Sequence, residues 1–306
     1  MKVLVTGAAG YVGSILVPAL LSMDHEVVGV DNLMYGQTSQ IMWFAHRNFE
    51  FQRGDIQDER IIRAGMKGVD AIIHLAAIVG APACLKFPEL ALKVNVEATR
   101  RITELSEGRP IVFASTNSNY GNTRGVCTEE TPLNPVSLYG ETKTTAETVI
   151  LENAGVVYRF ATAFGISPRL RLDLLINDFV FQAVKNRHLV VYERHYQRAF
   201  VHVRDMARAL IFALTNYDKM KGGVFNVGDE SMNLTKEQIV EKIREFIDYK
   251  PIFLDFDKDL DQRNYWVSYE KLQKKGFRTE VTLDDGIREL VQACQTIELR
   301  NPFSNM

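Results

Sequence analysis

Apolar positions along the chain fall into two alternating patterns. Val3-Leu4-Val5, Val27-Val28-Gly29-Val30, Val69 to Leu75, Ile111-Val112-Phe113-Ala114 and Val156-Val157-Tyr158-Arg159-Phe160 are short, largely β-branched runs that read as buried strands. Phe49-Glu50-Phe51 alternates and reads as a strand with one wetter face. Between these runs the apolar spacing turns helical: Ile15, Leu16, Ala19 and Leu20 after the first strand, a long helix from Pro88 to about Ser106, and another behind the start signal Asn134-Pro135. Residues 37–48, with Ile41, Met42, Trp43 and Phe44, predict a short packing helix. Strand and helix alternate through the first half, so the expected class is α/β with a doubly wound parallel sheet. Chemistry should then lie beyond the C-terminal strand ends.

Past Phe160 the pattern loosens. Gly165 to Arg171 predicts a loop, followed by an apolar helix from Leu172 to about Lys185. Arg198 precedes Phe200-Val201-His202-Val203, and Asp205 opens a helix containing Ala209, Leu210 and Phe212. Gly222 to Gly228 reads as one more strand, Asn233-Leu234-Thr235-Lys236-Glu237-Gln238 carries capping chemistry for a helix ending near Ile247, and an amphipathic helix runs from about Leu283 to Ala293. No disordered linker divides the chain, so its two parts are expected to share contacts.

Composition narrows the class without naming the chemistry. The 306 residues are 46% hydrophobic and 24% charged, as in ordinary globular proteins, and the net charge of -2 gives no electrostatic reason to expect nucleic acid or a membrane surface as partner. Cys84, Cys127 and Cys294 lack metal-ligand spacing, so no metal site is expected and reduced thiols in a cytoplasmic protein are the expectation. Met1-Lys2-Val3 runs directly into strand pattern, with no signal peptide expected, and no apolar run approaches a membrane span.

The candidate chemistry begins where the first strand ends. Thr6-Gly7-Ala8-Ala9-Gly10-Tyr11-Val12-Gly13 joins that strand to a helix, the context in which glycines serve a phosphate. Gly7 allows the tight turn, Gly10 lets the backbone approach a pyrophosphate, and Gly13 lets the helix pack near the strand. The helix N-terminus adds unpaired N–H groups and a positive dipole end. Asp31 ends the second strand, where a carboxylate accepts from ribose hydroxyls and repels a 2′-phosphate. No Arg or Lys follows in residues 32–36, so NAD is favoured over NADP. Gly54-Asp55-Ile56 offers an adenine-edge contact, and the small residues of His74-Leu75-Ala76-Ala77 leave room for the dinucleotide across the sheet; His74 itself reads as a hydrogen-bonded packing residue.

Tyr139 and Lys143, four apart, fall on one helix face. A phenol with its usual pKa of about 10 is a poor base at neutral pH, but a neighbouring ammonium favours the phenolate. The pair could then take a proton from a substrate hydroxyl as hydride leaves the same carbon. Thr116, at a strand end, can meet that substrate with its hydroxyl. The expected layout is a dinucleotide-binding domain over residues 1–165, with 198–230 returning to it, and a smaller, mainly substrate-binding lobe over 166–306.

These residues occur together in an order that resembles the extended short-chain dehydrogenase/reductases acting on nucleotide sugars, such as UDP-galactose 4-epimerase and dTDP-glucose 4,6-dehydratase. Thr116-Asn117-Ser118 and Ile166 to Asp173 are most similar to the members that modify GDP-heptose. The resemblance implies a Rossmann domain with a C-terminal substrate lobe, and NAD bound by Gly7, Gly10, Tyr11, Val12, Gly13, Asp31, Asn32, Asp55, Ile56, Leu75, Ala76, Ala77, Ala114, Tyr139 and Lys143. It implies Tyr139 as base, Lys143 on the nicotinamide ribose and Thr116 on the reacting oxygen. It implies a nucleotide sugar held by Thr116, Asn117, Ser118, Thr162, Arg169, Asn177, Arg198 and Arg263, with the two last-named arginines on the diphosphate. It further implies a homodimer formed through the helices at about 88–106 and 136–153.

Two positions depart from the family pattern. The dehydratases carry an Asp-Glu pair after the active-site Thr, where this chain has Asn117 and Ser118, neither a useful acid near neutral pH. Thr162 stands where many members carry an asparagine that touches the sugar nucleotide, so an unusual sugar pocket is expected. The reading is an NAD-dependent epimerase or dehydrogenase that oxidises a ring hydroxyl, C4 first among them. A 4,6-dehydratase is disfavoured, and the rival from another class is a dinucleotide-binding regulator without turnover.

Overall fold

The computed structural model describes residues 1–123, 125–254 and 264–298. In chain order its first half runs β1 (Lys2–Thr6), α1 (Gly13–Ser22), β2 (Glu26–Asp31), β3 (Phe49–Arg53), α2 (Glu59–Gly65), β4 (Ala71–His74), α3 (Ala81–Lys86), α4 (Pro88–Leu92), α5 (Thr99–Leu105), β5 (Ile111–Thr116), β6 (Val126–Cys127), α6 (Leu138–Glu152) and β7 (Val156–Phe160). A wide π-type turn over Lys93–Ala98 joins α4 to α5, so the long helix expected from Pro88 is present with a local underwinding. The second half supplies β8 (Thr162–Phe164), α7 (Leu175–Asn186), β9 (His188–Tyr192), β10 (Gln197–His202), α8 (Val203–Thr215), α9 (Tyr217–Met220), β11 (Val224–Val227), β12 (Asn233–Thr235), α10 (Lys236–Arg244), β13 (Lys250–Leu254), β14 (Trp266–Val267), α11 (Glu270–Lys274) and α12 (Leu283–Thr296).

Seven strands form one sheet in the order β11-β7-β5-β4-β1-β2-β3, with every recorded pair parallel. The apolar runs are continuous rather than alternating because helices cover both faces. On one face Val3, Val5 and Ile73 pack with Leu16 and Leu20 of α1 and Leu210 of α8; on the other Leu4, Ile72 and Phe113 pack with Ile102 of α5 and Ile150 of α6. The order reverses between β1 and β4, which opens a crevice at their C-terminal ends.

The C-terminal lobe has a core of its own, with Phe164, Ile176, Val180, Phe200, Ile239, Ile287 and Leu290. Two small sheets, β12-β10-β8 and β13-β9, lie in this half. Thus β11 returns to the main sheet, whereas β10 pairs within the small one.

One local expectation fails. Residues 37–48 form no α-helix, only a single 3₁₀ turn at Ile41–Trp43. Ile41, Met42 and Phe44 are all more than half exposed, and of the four apolar residues Trp43 packs against the core, so little burial rewards helix formation there.

Candidate active site

The glycine turn is shaped by steric need. Gly7 has φ +70°, and a Cβ on it would come within 2.8 Å of the Ala76 backbone nitrogen. A Cβ on Gly13 would fall 2.3 Å from the Gly7 carbonyl oxygen, so α1 can approach the turn only without a side chain there. The neighbouring β4 end is fixed by Thr6, whose Oγ1 accepts from the Leu75 and Ala76 N–H groups and lies 2.6 Å from Nδ1 of His74. His74 is fully buried, and its other ring nitrogen sits 2.9 Å from Thr99 Oγ1; burial draws its pKa down to about 3. It is a packing residue that locks β1, β4 and α5 together.

A cavity of about 360 Å³ runs from this turn across the strand ends. Every residue assigned to the cofactor from sequence lines it, from Gly7 and Asp31 at one end to Ala114, Tyr139 and Lys143 at the other. Asp31 accepts from the Ala9 and Leu33 N–H groups at 3.0 and 2.9 Å. Burial pushes its carboxyl upward, against those two hydrogen bonds and the positive charge of Arg169. The donor set suits a dinucleotide: open backbone at the glycines, a carboxylate for a ribose, small residues beneath, and a lysine at the far end.

Ser137 caps α6 by accepting from the Gly140 N–H at 3.2 Å, which starts the helix so that Tyr139 and Lys143 face the cavity. Lys143 is buried, its ammonium 3.9 Å from the centre of the Phe113 ring. Burial draws its pKa down to about 7, while Glu147 acts in the opposite sense. Thr116 accepts from the Ser118 N–H and donates to Ser118 Oγ, each at 3.1 Å, so its hydroxyl is held at the cavity wall.

The residues assigned to a substrate divide. Thr116, Ser118, Thr162 and Arg169 line the main cavity. Asn117, Thr162 and Arg198 line a much smaller one, about 10 Å³, with Gln197, Ala199 and Tyr265. The Asn117 amide is buried there, with no hydrogen-bond partner among the described residues. Arg169 lies at the Asp31 end of the cavity, its guanidinium 4.9 Å from the Tyr35 ring centre. Asn177 is not part of either lining: its amide accepts from the Gly165 N–H at 2.9 Å and donates to the Arg171 carbonyl at 2.8 Å, a backbone-holding role. Arg263 lies outside the described residues.

Sequence reasoning passed over Arg171, which lines the cavity paired with Asp173 at 2.5 Å. Only the folded path of the 165–175 segment brings it there, and no local pattern signals it. Met206 and the run Ile78 to Ala81 also line the cavity unannounced.

The parallel sheet, its glycine turn and the crevice at the strand reversal define a dinucleotide-binding α/β enzyme. A sequence model of the NAD dependent epimerase/dehydratase family matches residues 3–228, and the chain belongs to that family, with NAD as cofactor. Among relatives, UDP-glucuronic acid decarboxylase 1 of Arabidopsis thaliana is 30% identical, the match covering 95% of this chain and 69% of that one. Among solved structures, MoeE5 in complex with UDP-glucose and NAD superposes with TM-score 0.83 at 27% identity, over 95% of this chain and 98% of the other. The dTDP-glucose 4,6-dehydratase DesIV of Streptomyces venezuelae, with NAD and TYD bound, gives TM-score 0.84 at 25% identity, over 95% and 96%. Among the described residues no helix is long and apolar enough to cross a membrane, and no metal-binding group of side chains occurs.

Proposed function

We propose that this enzyme oxidises a ring hydroxyl, C4 first among them, of a nucleotide sugar, with Tyr139 as base, Lys143 as its cationic neighbour and Thr116 on the reacting oxygen. The observation that carries the reading is the convergence of these three side chains on the wall of one dinucleotide-sized cavity. NAD supplies the hydride acceptor. The chain's own part is to take the hydroxyl proton at the Tyr139 oxygen, to hold the reacting oxygen through Thr116, and to keep the ammonium of Lys143 beside both. An epimerase returns the hydride to the other face of the ketone; a dehydrogenase releases the ketone. UDP-sugars are favoured by the compounds named for the relatives, and GDP-heptose remains the candidate suggested by Thr116-Asn117-Ser118.

The test is absorbance at the reduced-nicotinamide band of the NAD-loaded protein mixed with UDP-, GDP-, dTDP- and CDP-sugars, GDP-heptose included. Growth or decay of the band with one sugar is expected. A silent spectrum with all of them, and no product, would return the chain to a non-catalytic dinucleotide binder. We also infer a homodimer through the 88–106 and 136–153 helices, supported by exposed Phe87, Leu92 and Val136 at their starts. Sedimentation of a monomer at micromolar concentration would refute it.

A further inference from the structure

We propose that Glu147 is a positioning residue of this site: its buried carboxylate ties α6 to the ends of β5 and β7, and so fixes Thr116 relative to Tyr139 and Lys143. The proposal rests on the reading that those three residues carry the chemistry.

Glu147 follows Lys143 by one helical turn, as Lys143 follows Tyr139, so the three share a face of α6. Its side chain is 3% exposed. A carboxylate that deep is costly unless charged and hydrogen-bonding partners surround it. Arg159 of β7 donates from Nε to both carboxylate oxygens at 3.1 Å and from Nη2 at 2.8 Å. Ser115 Oγ donates to it at 2.5 Å and Asn119 Nδ2 at 2.6 Å. Ser115 immediately precedes Thr116, and Asn119 lies in the turn that Thr116 caps. One carboxylate therefore grips the chain on both sides of the Thr116 hydroxyl, from the helix that presents Tyr139 and Lys143. Glu147 does not line the cavity, so it acts through these neighbours.

The second effect is electrostatic. Lys143 is cooled towards its neutral form by burial, and Glu147 is the principal charge opposing that. From β4, His74 faces the lysine as a neutral ring, and from α3, Cys84 faces it as a thiol pushed up to about 11 by burial. Around Glu147 itself stand Arg159, then Tyr120, whose hydroxyl accepts from Arg159 at 3.2 Å and donates to Asn226 at 2.7 Å, and Glu129, whose carbonyl accepts from Arg159 at 3.2 Å. The Glu129 carboxylate is engaged by the Asn226 N–H at 2.7 Å. Neutralising Glu147 thus strands a buried guanidinium and favours the neutral amine at Lys143, which withdraws the charge that supports a Tyr139 phenolate.

The test uses the full chain loaded with NAD. Phenolate absorbance is titrated, and the curve of Tyr139→Phe is subtracted to isolate Tyr139. The same pair is measured in the Glu147→Gln background, and again in Glu147→Gln/Arg159→Met, where no buried charge is stranded. The Tyr139 midpoint is expected to rise by about one pH unit in each, with circular dichroism and NAD binding retained. A folded variant with an unmoved midpoint would make Glu147 merely structural and overturn the proposal, as would failure of both variants to fold. Silence of the wild type towards every nucleotide sugar, with the midpoint shift present, would instead sink the proposed reaction and leave the positioning role standing. A wild-type curve indistinguishable from that of Tyr139→Phe would remove Tyr139 as base and both readings with it.

Discussion

Tyr11 donates its hydroxyl hydrogen to the carbonyl oxygen of Gly165 over 2.6 Å, joining the glycine turn to the point where the chain leaves β8 for the C-terminal lobe. Ser167 reinforces the link by donating to the Tyr11 carbonyl at 2.7 Å. The cofactor turn and the 165–171 loop are therefore tied together by two hydrogen bonds. Tyr11→Phe removes one buried bond and should cost about 1 kcal/mol of stability. The looser loop should also release NAD faster than wild type, measured as cofactor dissociation by stopped-flow fluorescence. An unchanged dissociation rate would show that the loop is held by Ser167 and Asn177 alone.

Tyr139→Phe keeps the ring and removes the acid–base oxygen. General acid–base groups contribute on the order of 10²–10⁴-fold, so turnover should fall by that much while NAD remains bound. Steady-state rates beside a cofactor-binding isotherm check both halves. A variant with most of its activity left means another group takes the proton.

Asp31→Ala should weaken NAD binding and relax the bias against NADP. The carboxylate that meets a ribose and repels a 2′-phosphate would be gone, and Arg169, held over Tyr35 at the same end of the cavity, would remain as a cation for that phosphate. Calorimetric titration with the two cofactors measures the ratio. Wild-type protein that binds NADP as tightly as NAD would overturn the role given to Asp31.

The sheet, the glycine turn and the Tyr139–Lys143 helix were legible because each is local: a β-branched run, a glycine spacing, an i,i+4 pair. Placements that depend on the second half of the chain were not. Arg169 reads as a substrate residue from its loop, yet the fold carries it to the Asp31 end of the cavity. Asn177 reads the same way, but the Gly165 turn consumes its amide. The 37–48 segment carries four consecutive apolar residues rather than a helical stripe: Ile41, Met42 and Phe44 stay exposed while Trp43 packs against the core. Local pattern carries no information on which distant surface a side chain will meet.

Lys143 gives a stability signature in the cofactor-free protein. Its pKa falls from the usual 10.5 to about 7 through burial. Between those two values the unfolded chain holds a proton that the folded protein has released, so this lysine makes stability rise with pH across that window, by up to about 1.4 kcal/mol per pH unit. Below pH about 7 both states are protonated and the contribution is flat. Lys143→Met should remove the slope and give its largest relative stabilisation at the acid end. Urea midpoints of both proteins at several pH values read it directly; parallel wild-type and variant curves would place the lysine charge elsewhere.

The product should keep its C6 oxygen. Eliminating water across C5 and C6 requires a group to take the C5 proton and an acid to protonate the departing oxygen. Behind Thr116 stand Asn117 and Ser118: an amide cannot exchange a proton usefully near neutral pH, and a serine is a feeble acid unless strongly activated. The hydrogen bond that the Ser118 hydroxyl accepts from Thr116 comes from a neutral hydroxyl, too weak an activation to make it an acid near neutral pH, and the Asn117 amide has no hydrogen-bond partner among the described residues. Glu141 lies two residues from Tyr139 on another helical face, is exposed, and is not part of the cavity lining. Glu147 is acidic and close in sequence, but Arg159, Ser115 and Asn119 occupy its carboxylate. Among the described residues the cavity wall nearest Thr116 thus offers no carboxyl group to carry the elimination. Mass measurement of products from the sugar panel decides the matter. An unchanged mass, or the loss of two hydrogens, is expected; loss of one water from a turned-over substrate would sink the argument and point to an acid contributed from outside the described residues.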